Sequence, residues 1–319
     1  MLACEAGIVI REMLDDAGGR MAASTDKGDF GFGEADPQTL ADLAAEKCII
    51  NGLARAFPGL TVVGEEGLAT SDSGAEDVVD EGSGPTTLKF IPTLFEDGMV
   101  PADLLDTSIQ LEDVCVWVDP LDGTQEFVDG NFERVTVLIG ITVRGKPVAG
   151  AILQPFVQSG SAAGGKGRLL WGGLGLGVWD GGADGIAGAT RVRNDPCEGR
   201  PVVATSRSHP SPVVAEAAAA LKPQQILQLG GAGSKVVMII EGKLSHWVYP
   251  RKGTKRWDTA APEALLRAVG GFCVDSDGRP YDYSSDCQPR NDEGVIAGSG
   301  HVAWEQCVNA YGWQTPLPL

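Results

Sequence analysis

The pattern of apolar and polar positions changes along the chain, and its first part favours a helix followed by strands. Residues 2–16 carry apolar side chains at helical spacing, which predicts a surface helix. Short β-branched or alternating runs predict strands farther on. These strands are LTVVG (60–64), VCVWV (114–118), VTVLIGITV (135–143), PVAGAILQP (147–155), RLLW (168–171) and GLGV (175–178). The third and fourth are joined by Arg144-Gly145-Lys146 and predict a hairpin.

A second pattern begins after a glycine-rich, polar stretch at 180–200. Strand-like and helix-like segments now alternate, which is typical of an α/β layer. In order they are VVATS, residues 213–221, ILQL, residues 234–241, HWVY and a helix that ends at Val269. We therefore expect an α+β domain at 1–195 and an α/β domain at 196–319.

A helix is also predicted between the first surface helix and the first strand. Asp36 suits its N-cap and Pro37 its first position, and apolar residues recur from Leu40 to Phe57. This assignment places Asp42 on the first turns of the helix.

Residues 69–112 are acidic, rich in Gly, Ser and Pro, and poor in pattern. Such a stretch is typical of a mobile insertion. Its composition does not separate a solvated loop from a lid over a substrate.

The charge balance narrows the class of partner. The 319 residues carry a formal net charge of −18, which argues against a nucleic-acid polymer or an anionic membrane as partner. A small anionic substrate then requires local cations.

Seven cysteines are scattered without a C-x-x-C pair, at positions 4, 48, 115, 197, 273, 287 and 307. An odd, unclustered set favours reduced thiols in a reducing compartment over a disulfide framework or a zinc site. No segment has the pattern of a signal peptide or a membrane span. We expect a cytoplasmic protein.

The stretch DPLDGT follows the apolar run 114–118 and is the first candidate site. Pro120 fixes φ and Gly123 allows a conformation closed to other residues, so a tight turn is predicted. Such a turn can aim the carboxylates of Asp119 and Asp122 and the carbonyl of Leu121 at one point, as Mg²⁺ requires. An Asx-type turn, in which the aspartates bind their own backbone, is the alternative.

Further carboxylates follow other predicted elements. Glu65 and Glu66 end one strand, and Asp258 lies at the start of a helix, where an aspartate also serves as a cap. Acidic residues at the ends of separate elements are a common way to assemble a metal site, because without cations they repel one another.

The stretch GGAGSK (230–235) leads into an apolar helix. Its backbone N–H groups and the positive helix end can bind a phosphate, with Lys235 adding charge. The alternative is a glycine turn that lets a strand and a helix pack closely.

Taken together, GEE, DPLDGT and WDTAAP, with an upstream Ala-Asp, resemble the lithium-sensitive, magnesium-dependent phosphatases of the inositol monophosphatase superfamily. TSRSH, LGGAGSKVV and KRWDTAAPEALLRAVGG are similar to the 3'(2'),5'-bisphosphate nucleotidases within it. The resemblance implies a layered αβαβα sandwich of the inositol monophosphatase and fructose-1,6-bisphosphatase type.

The resemblance also implies roles for particular residues. The implied metal ligands are Glu65, Asp119, the Leu121 carbonyl, Asp122 and Asp258. The implied catalytic residues, which activate the attacking water, are Asp42 and Thr124. The implied substrate-binding residues are Ser206, His209, Gly231 and Lys235.

The implied activity is removal of the 3'-phosphate of adenosine 3',5'-bisphosphate, or of its phosphosulfate analogue, with two or three Mg²⁺ ions and with inhibition by lithium. An inositol polyphosphate 1-phosphatase or inositol monophosphatase shares the metal core and is the nearest alternative. A non-catalytic phosphonucleotide or metal sensor is the alternative of another class. Leu40 and Gly67 depart from the pattern of the relatives without removing an implied ligand.

Overall fold

The computed structural model describes residues 1–23, 25–26, 37–67, 109–158, 166–182, 188–193 and 199–318. The predicted insertion at 69–112 therefore lies almost wholly outside the described residues. The helices are α1 (Leu2–Asp16), α2 (Leu40–Ala56), α3 (Thr124–Asp129), α4 (Pro212–Ala220), α5 (Ala232–Ile240), α6 (Arg256–Ala268) and α7 (His301–Tyr311).

A seven-stranded sheet forms from the first part of the chain, in the order β3-β4-β5-β6-β7-β8-β9. Its strands are β3 (Thr61–Gly64), β4 (Val114–Asp122), β5 (Thr136–Val143), β6 (Lys146–Gln158), β7 (Lys166–Gly173), β8 (Gly177–Gly182) and β9 (Thr190–Arg191). β3 and β4 are parallel and the other pairs are antiparallel. The predicted hairpin is confirmed, and Arg144 and Gly145 form its turn with φ of 50° and 73°.

A five-stranded sheet forms from the second part, in the order β11-β10-β12-β16-β14. Its strands are β10 (Val202–Ser206), β11 (Gln225–Leu229), β12 (His246–Tyr249), β14 (Phe272–Val274) and β16 (Val295–Gly298). β10 is parallel to β11 and β12, as the alternation of strands and helices predicts. Two two-stranded pairs join β1 (Thr25–Asp26) to β2 (Pro37–Gln38) and β13 (Thr254–Lys255) to β15 (Arg290–Asn291).

The elements stack in the layers expected of an αβαβα sandwich. α1 and α2 contact each other and the seven-stranded sheet, while α5 and α6 lie between the two sheets. Three apolar cores fill the spaces between the layers, and burial of this kind of surface is the main force that stabilises the fold. Representative core residues are Ile10 and Ile49 in the first, Trp117 and Leu265 in the second, between the sheets, and Phe272 of β14 and Trp304 of α7 in the third.

The predicted fold class is confirmed, whereas the two-domain division stays a prediction. The predicted boundary near residue 195 lies outside the described residues. α6 contacts β5 and β6 of one sheet and β14 of the other, so the carboxylate of Asp258 is carried by a helix shared between them.

The predicted start of α2 is wrong. The helix begins at Leu40 with Thr39 as its N-cap, and Pro37 belongs to β2. Thr39 and Asp42 form a capping box, in which the Asp42 carboxylate accepts the Thr39 backbone N–H at 2.8 Å. Asp42 is the third residue of the helix, so its predicted place on the first turns is confirmed.

The prediction that the chain leaves its strand at Asp119 is wrong. β4 continues to Asp122, which pairs with Thr136, and the register is irregular between Asp119 and Asp122. Pro120 lies within that irregularity, where its missing N–H costs no ladder hydrogen bond. The turn itself is reduced to Gly123, whose φ of 86° precedes α3.

Candidate active site

A cleft of about 480 Å³ brings together the residues singled out from the sequence. Ten of them line it, namely Glu65, Asp119, Leu121, Asp122, Thr124, Ser206, His209, Gly231, Lys235 and Asp258. The other, Asp42, is fully buried and contacts Thr124 from the side of α2. Residues 193 positions apart in the chain, from Glu65 to Asp258, therefore share one site.

Three carboxylates form a compact cluster at one end of the cleft. Oxygen atoms of Asp119, Asp122 and Asp258 lie within 4.8 Å of one another. Two come from the end of β4 and the third from the first turn of α6. Within the described residues this group has the composition and the spacing of a divalent cation site, since hard cations take several oxygen ligands at short range.

The electrostatics of the cluster fit a cation as well. Burial, followed by repulsion from Glu65, raises the pKa of Asp119 well above its usual value. Burial also raises the pKa of Asp258 to about 7, while Lys255 opposes that change. Buried carboxylates that repel one another lose this penalty when a cation lies between them, so the donor set suits a metal ion.

Asp122 is oriented by the first turn of α5, the helix that follows the glycines of GGAGSK. Its two carboxylate oxygens accept the backbone N–H groups of Ala232 at 2.7 Å and Gly233 at 2.8 Å, and the hydroxyl of Thr136 at 2.5 Å. Two of the backbone N–H groups in GGAGSK thus bind an aspartate of β4, which lies at the positive end of α5. Binding of the substrate by Gly231 and Lys235 stays a prediction.

Asp42 and Thr124 form a hydrogen-bonded pair beside the cluster. The Thr124 hydroxyl lies 3.0 Å from Asp42 Oδ1 and 3.1 Å from the Leu121 carbonyl. The other Asp42 oxygen accepts the backbone N–H and the hydroxyl of Thr39. Burial raises the pKa of Asp42 to about 6, although both Thr39 contacts lower it.

Glu46 lies one turn after Asp42 on α2 and is fully buried. Its Oε2 accepts the backbone N–H of Glu66 at 2.7 Å. A Cβ on Gly64 would lie 2.5 Å from its Oε1, so β3 can approach Glu46 only with glycine at this position. The helix thus fixes the end of β3, from which Glu65 reaches the cleft.

A second part of the cleft wall carries polar and aromatic groups. The Ser206 hydroxyl accepts the backbone N–H of His209 at 3.2 Å, and the His209 ring lies edge-on to Tyr249. Lys235 donates to the Gly231 carbonyl at 2.6 Å and lies 5.0 Å from the centre of the Trp247 ring. Burial lowers its pKa to about 8, against the opposing effect of Asp122.

Several residues of the site were not predicted from the sequence. They are Thr39, Glu46, Glu126, Thr136, Arg207, Trp247 and Tyr249. Only Thr39 had a local signal, the Thr-x-x-Asp pattern that a capping box requires. The others act through contacts between distant segments, which no short pattern records.

Two named relatives match most of this chain in sequence. The human 3'(2'),5'-bisphosphate nucleotidase 1 is 37% identical over 302 residues, covering 93% of this chain and 87% of that protein. The Dictyostelium discoideum protein of the same name is 32% identical, covering 92% and 89%.

Solved structures share the fold at lower identity. The extragenic suppressor protein suhB from Bartonella henselae is 22% identical, with a TM-score of 0.64 over 97% of this chain and 95% of that one. CysQ from Bacteroides thetaiotaomicron is 24% identical, with a TM-score of 0.61 over 94% and 95%.

The family model described as the inositol monophosphatase family matches residues 1–311, nearly the whole chain. It spans both sheets and all the described residues that line the cleft. On this match and on the identity with the human protein, the chain belongs to the inositol monophosphatase family.

Proposed function

We propose that this protein is a metal-dependent phosphomonoesterase that removes the 3'-phosphate of adenosine 3',5'-bisphosphate to give AMP and phosphate. The observation that carries the proposal is the cleft itself, where the carboxylate cluster and the Thr124–Asp42 pair adjoin polar and aromatic side chains. The first part suits phosphate ester hydrolysis, and the second suits a nucleotide.

Mg²⁺ is the cation that best suits this all-oxygen donor set. Its ligands would be Glu65, Asp119, the Leu121 carbonyl, Asp122 and Asp258, and a substrate phosphate shares the ions in sites of this kind. Ions bound there would supply positive charge to the phosphate oxygens and lower the pKa of water. They would also reverse the local field that a chain of formal net charge −18 otherwise presents to an anionic substrate.

Asp42 is the base that takes the proton of the attacking water, with the Thr124 hydroxyl as the link between them. Its pKa of about 6 lies close to neutral pH, where a general base is most effective. Thr39 holds the carboxylate through one oxygen, which leaves Oδ1 to Thr124. The 3.1 Å contact of Thr124 with the Leu121 carbonyl ties the pair to the implied ligand set.

The nucleotide is supported by the second wall and by the relatives. Ser206, His209 and Lys235 belong to the segments in which the chain resembles bisphosphate nucleotidases. Lys235 is buried and cationic, which suits a phosphate or a ribose oxygen. The human relative at 37% identity and the Dictyostelium relative at 32% both carry that name.

The proposal is tested by measuring phosphate release at saturating Mg²⁺, with and without lithium. Adenosine 3',5'-bisphosphate, inositol 1-phosphate and inositol 1,4-bisphosphate are compared in parallel. Asp122→Ala serves as the inactive variant. Asp277→Asn is its control, since Asp277 is exposed and pairs only with Arg279 among the described ion pairs.

A clear preference for the nucleotide that is lost in Asp122→Ala supports the proposal. Preference for either inositol phosphate keeps the cluster and the Thr124–Asp42 pair in their roles and overturns the nucleotide assignment. Release from none of the three substrates overturns the enzymatic assignment and favours a sensor of phosphonucleotide or metal.

A further inference from the structure

The guanidinium of Arg207 joins two acidic side chains of α3, the helix that begins with Thr124. Its Nε donates to Glu126 Oε1 at 2.6 Å, and its Nη2 donates to Asp129 Oδ2 at 2.5 Å. Arg207 directly follows Ser206 at the end of β10 and itself lines the cleft. The ion pair therefore connects the helix of the proposed catalytic threonine to the proposed nucleotide wall.

Glu126 extends this connection to a third segment. It is only 2% exposed, and its other oxygen accepts the Asn131 amide at 2.8 Å. A Cβ on Gly230 would lie 1.9 Å from Glu126 Oε1, so the turn before α5 rests directly on this carboxylate. The Arg207 backbone N–H meets the same turn through the Leu229 carbonyl at 3.2 Å.

The charges decide between two roles for Arg207. The Arg207 guanidinium and its two carboxylate partners together carry a net charge of −1. A group of that charge does not attract the second phosphate of a bisphosphate substrate. The fork of the guanidinium matches carboxylates in a fixed geometry, which suits it to setting distances between segments. Positioning therefore accounts for these contacts, and direct phosphate binding does not.

We infer that Arg207 is a positioning residue that fixes Ser206 and His209 relative to α3 and its Thr124, and that it thereby sets the affinity for the nucleotide. This inference rests on the proposed nucleotidase function. Arg207 acts through the loop that follows β10 and takes no part in the proton transfer assigned to Asp42.

The test compares Arg207→Gln and Arg207→Lys with a matched control, Arg168→Gln. Arg168 likewise pairs with two carboxylates, Asp180 at 2.6 Å and Glu241 at 2.5 Å, and it is not one of the described residues that line the cleft. For adenosine 3',5'-bisphosphate we expect Arg207→Gln to raise KM about tenfold, with kcat within about threefold of wild type. Arg207→Lys should fall between the two, and Arg168→Gln should leave KM within about twofold.

Arg207→Gln leaves the buried Glu126 without its cation, so the double variant Arg207→Gln/Glu126→Gln is included. It removes both charges and should show the same rise in KM. An unchanged KM in the folded variants overturns the inference. An equal rise of KM in Arg168→Gln also overturns the inference. A fall in kcat with unchanged KM overturns it as well, because it would indicate only a smaller fraction of active enzyme.

Hydrogen exchange separates failure of this inference from failure of the proposed function. The amides of residues 206–211 should exchange about tenfold faster in Arg207→Gln than in Arg168→Gln, whatever the substrate. If wild type does not hydrolyse the nucleotide, the proposed function falls and exchange alone judges the positioning role. Unchanged exchange at 206–211 overturns that role even in an active nucleotidase.

Discussion

The hydroxyl of Thr124 lies 3.0 Å from a carboxylate oxygen of Asp42, across 82 positions of sequence. Both residues lie in the first turn of a helix. Asp42 is the third residue of α2 and belongs to its capping box, and Thr124 is the first residue of α3, directly after the turn at Gly123. The proposed proton acceptor and the hydroxyl that connects it to water are thus each positioned by the local geometry of a helix N-terminus.

Replacing Thr124 by alanine should lower kcat by at least about 100-fold with little change in KM, because the hydroxyl linking water to Asp42 is lost. Steady-state kinetics on adenosine 3',5'-bisphosphate measure the effect. Thr124→Ser is the control and should keep activity within about tenfold. If Thr124→Ala keeps wild-type kcat, the threonine is not part of the proton path.

The cluster of Asp119, Asp122 and Asp258 should make the stability of the protein depend on divalent cations. Asp258→Asn keeps an oxygen for the Lys255 backbone N–H, which Asp258 accepts at 2.7 Å, and removes one repelling charge. The metal-free variant should therefore melt at a higher temperature than metal-free wild type, and Mg²⁺ should raise its Tm less. Differential scanning calorimetry with and without EDTA measures both. An equal Mg²⁺ shift in variant and wild type would remove Asp258 from the metal site.

His246 should make the fold sensitive to acid. It is fully buried in β12, contacts the Ser245 hydroxyl and the Ala303 carbonyl, and burial lowers its pKa to about 4. Between pH 6.5 and 4 His246 binds a proton in the unfolded chain and stays neutral in the folded state, so the free energy of unfolding falls as the pH falls. The loss amounts to about 3 kcal/mol at most by the pKa difference.

Urea unfolding at pH 7, 6 and 5 measures this loss, and the quantity of interest is the difference between wild type and His246→Gln. The variant should be less stable at pH 7 and lose less stability towards pH 5. His301→Gln is the control, because the His301 side chain is 72% exposed. Parallel curves for wild type and both variants would show that His246 does not contribute to the pH dependence.

Gly140 should tolerate no side chain, because β5 and α6 meet there. A Cβ at this position would lie 2.6 Å from both the Ala260 Cβ and the Ala261 backbone nitrogen. Gly140→Ala should cost about 2 kcal/mol of unfolding free energy and weaken Mg²⁺ binding, since it displaces the helix that carries Asp258. Chemical unfolding and calorimetric titration measure the two effects. Ile141→Ala, at the exposed neighbour, is the control and should change Mg²⁺ affinity by less than about twofold.

The sequence was sufficient where a structure depends on neighbouring residues. The strands and helices from 202 to 268 each carry their own apolar pattern, and the hairpin at Arg144-Gly145 carries its own turn residues. The predicted start of α2 is wrong because Asp36-Pro37 and Thr39-x-x-Asp42 are both valid starting signals, and it is Thr39 and Asp42 that form the capping box.

Contacts between distant segments could not be predicted in the same way. The bond of Asp122 to Ala232 spans 110 positions, and the bond of Arg207 to Glu126 spans 81. Nothing in GGAGSK distinguishes a helix end that awaits a phosphate from one already occupied by a carboxylate, since both need the same exposed N–H groups. The resemblance to the inositol monophosphatase superfamily indicates which residues belong to the site. Only the fold shows which group each of them contacts.

Asp122 is oriented by two main-chain donors, so its orientation does not depend on the chemistry of the side chains at Ala232 and Gly233. Nearly any side chain at Ala232 leaves its backbone N–H in place, so most changes there test packing and leave the carboxylate oriented. Proline is the exception, because it suits the first position of a helix and yet has no N–H to donate. Length changes in the turn before α5 are the other route to damage. In a directed-evolution library this stretch should therefore reject proline at position 232 together with insertions and deletions. Gly230, Gly231 and Gly233 should resist substitution for another reason, since a Cβ there would lie within 2.5 Å of a neighbouring atom.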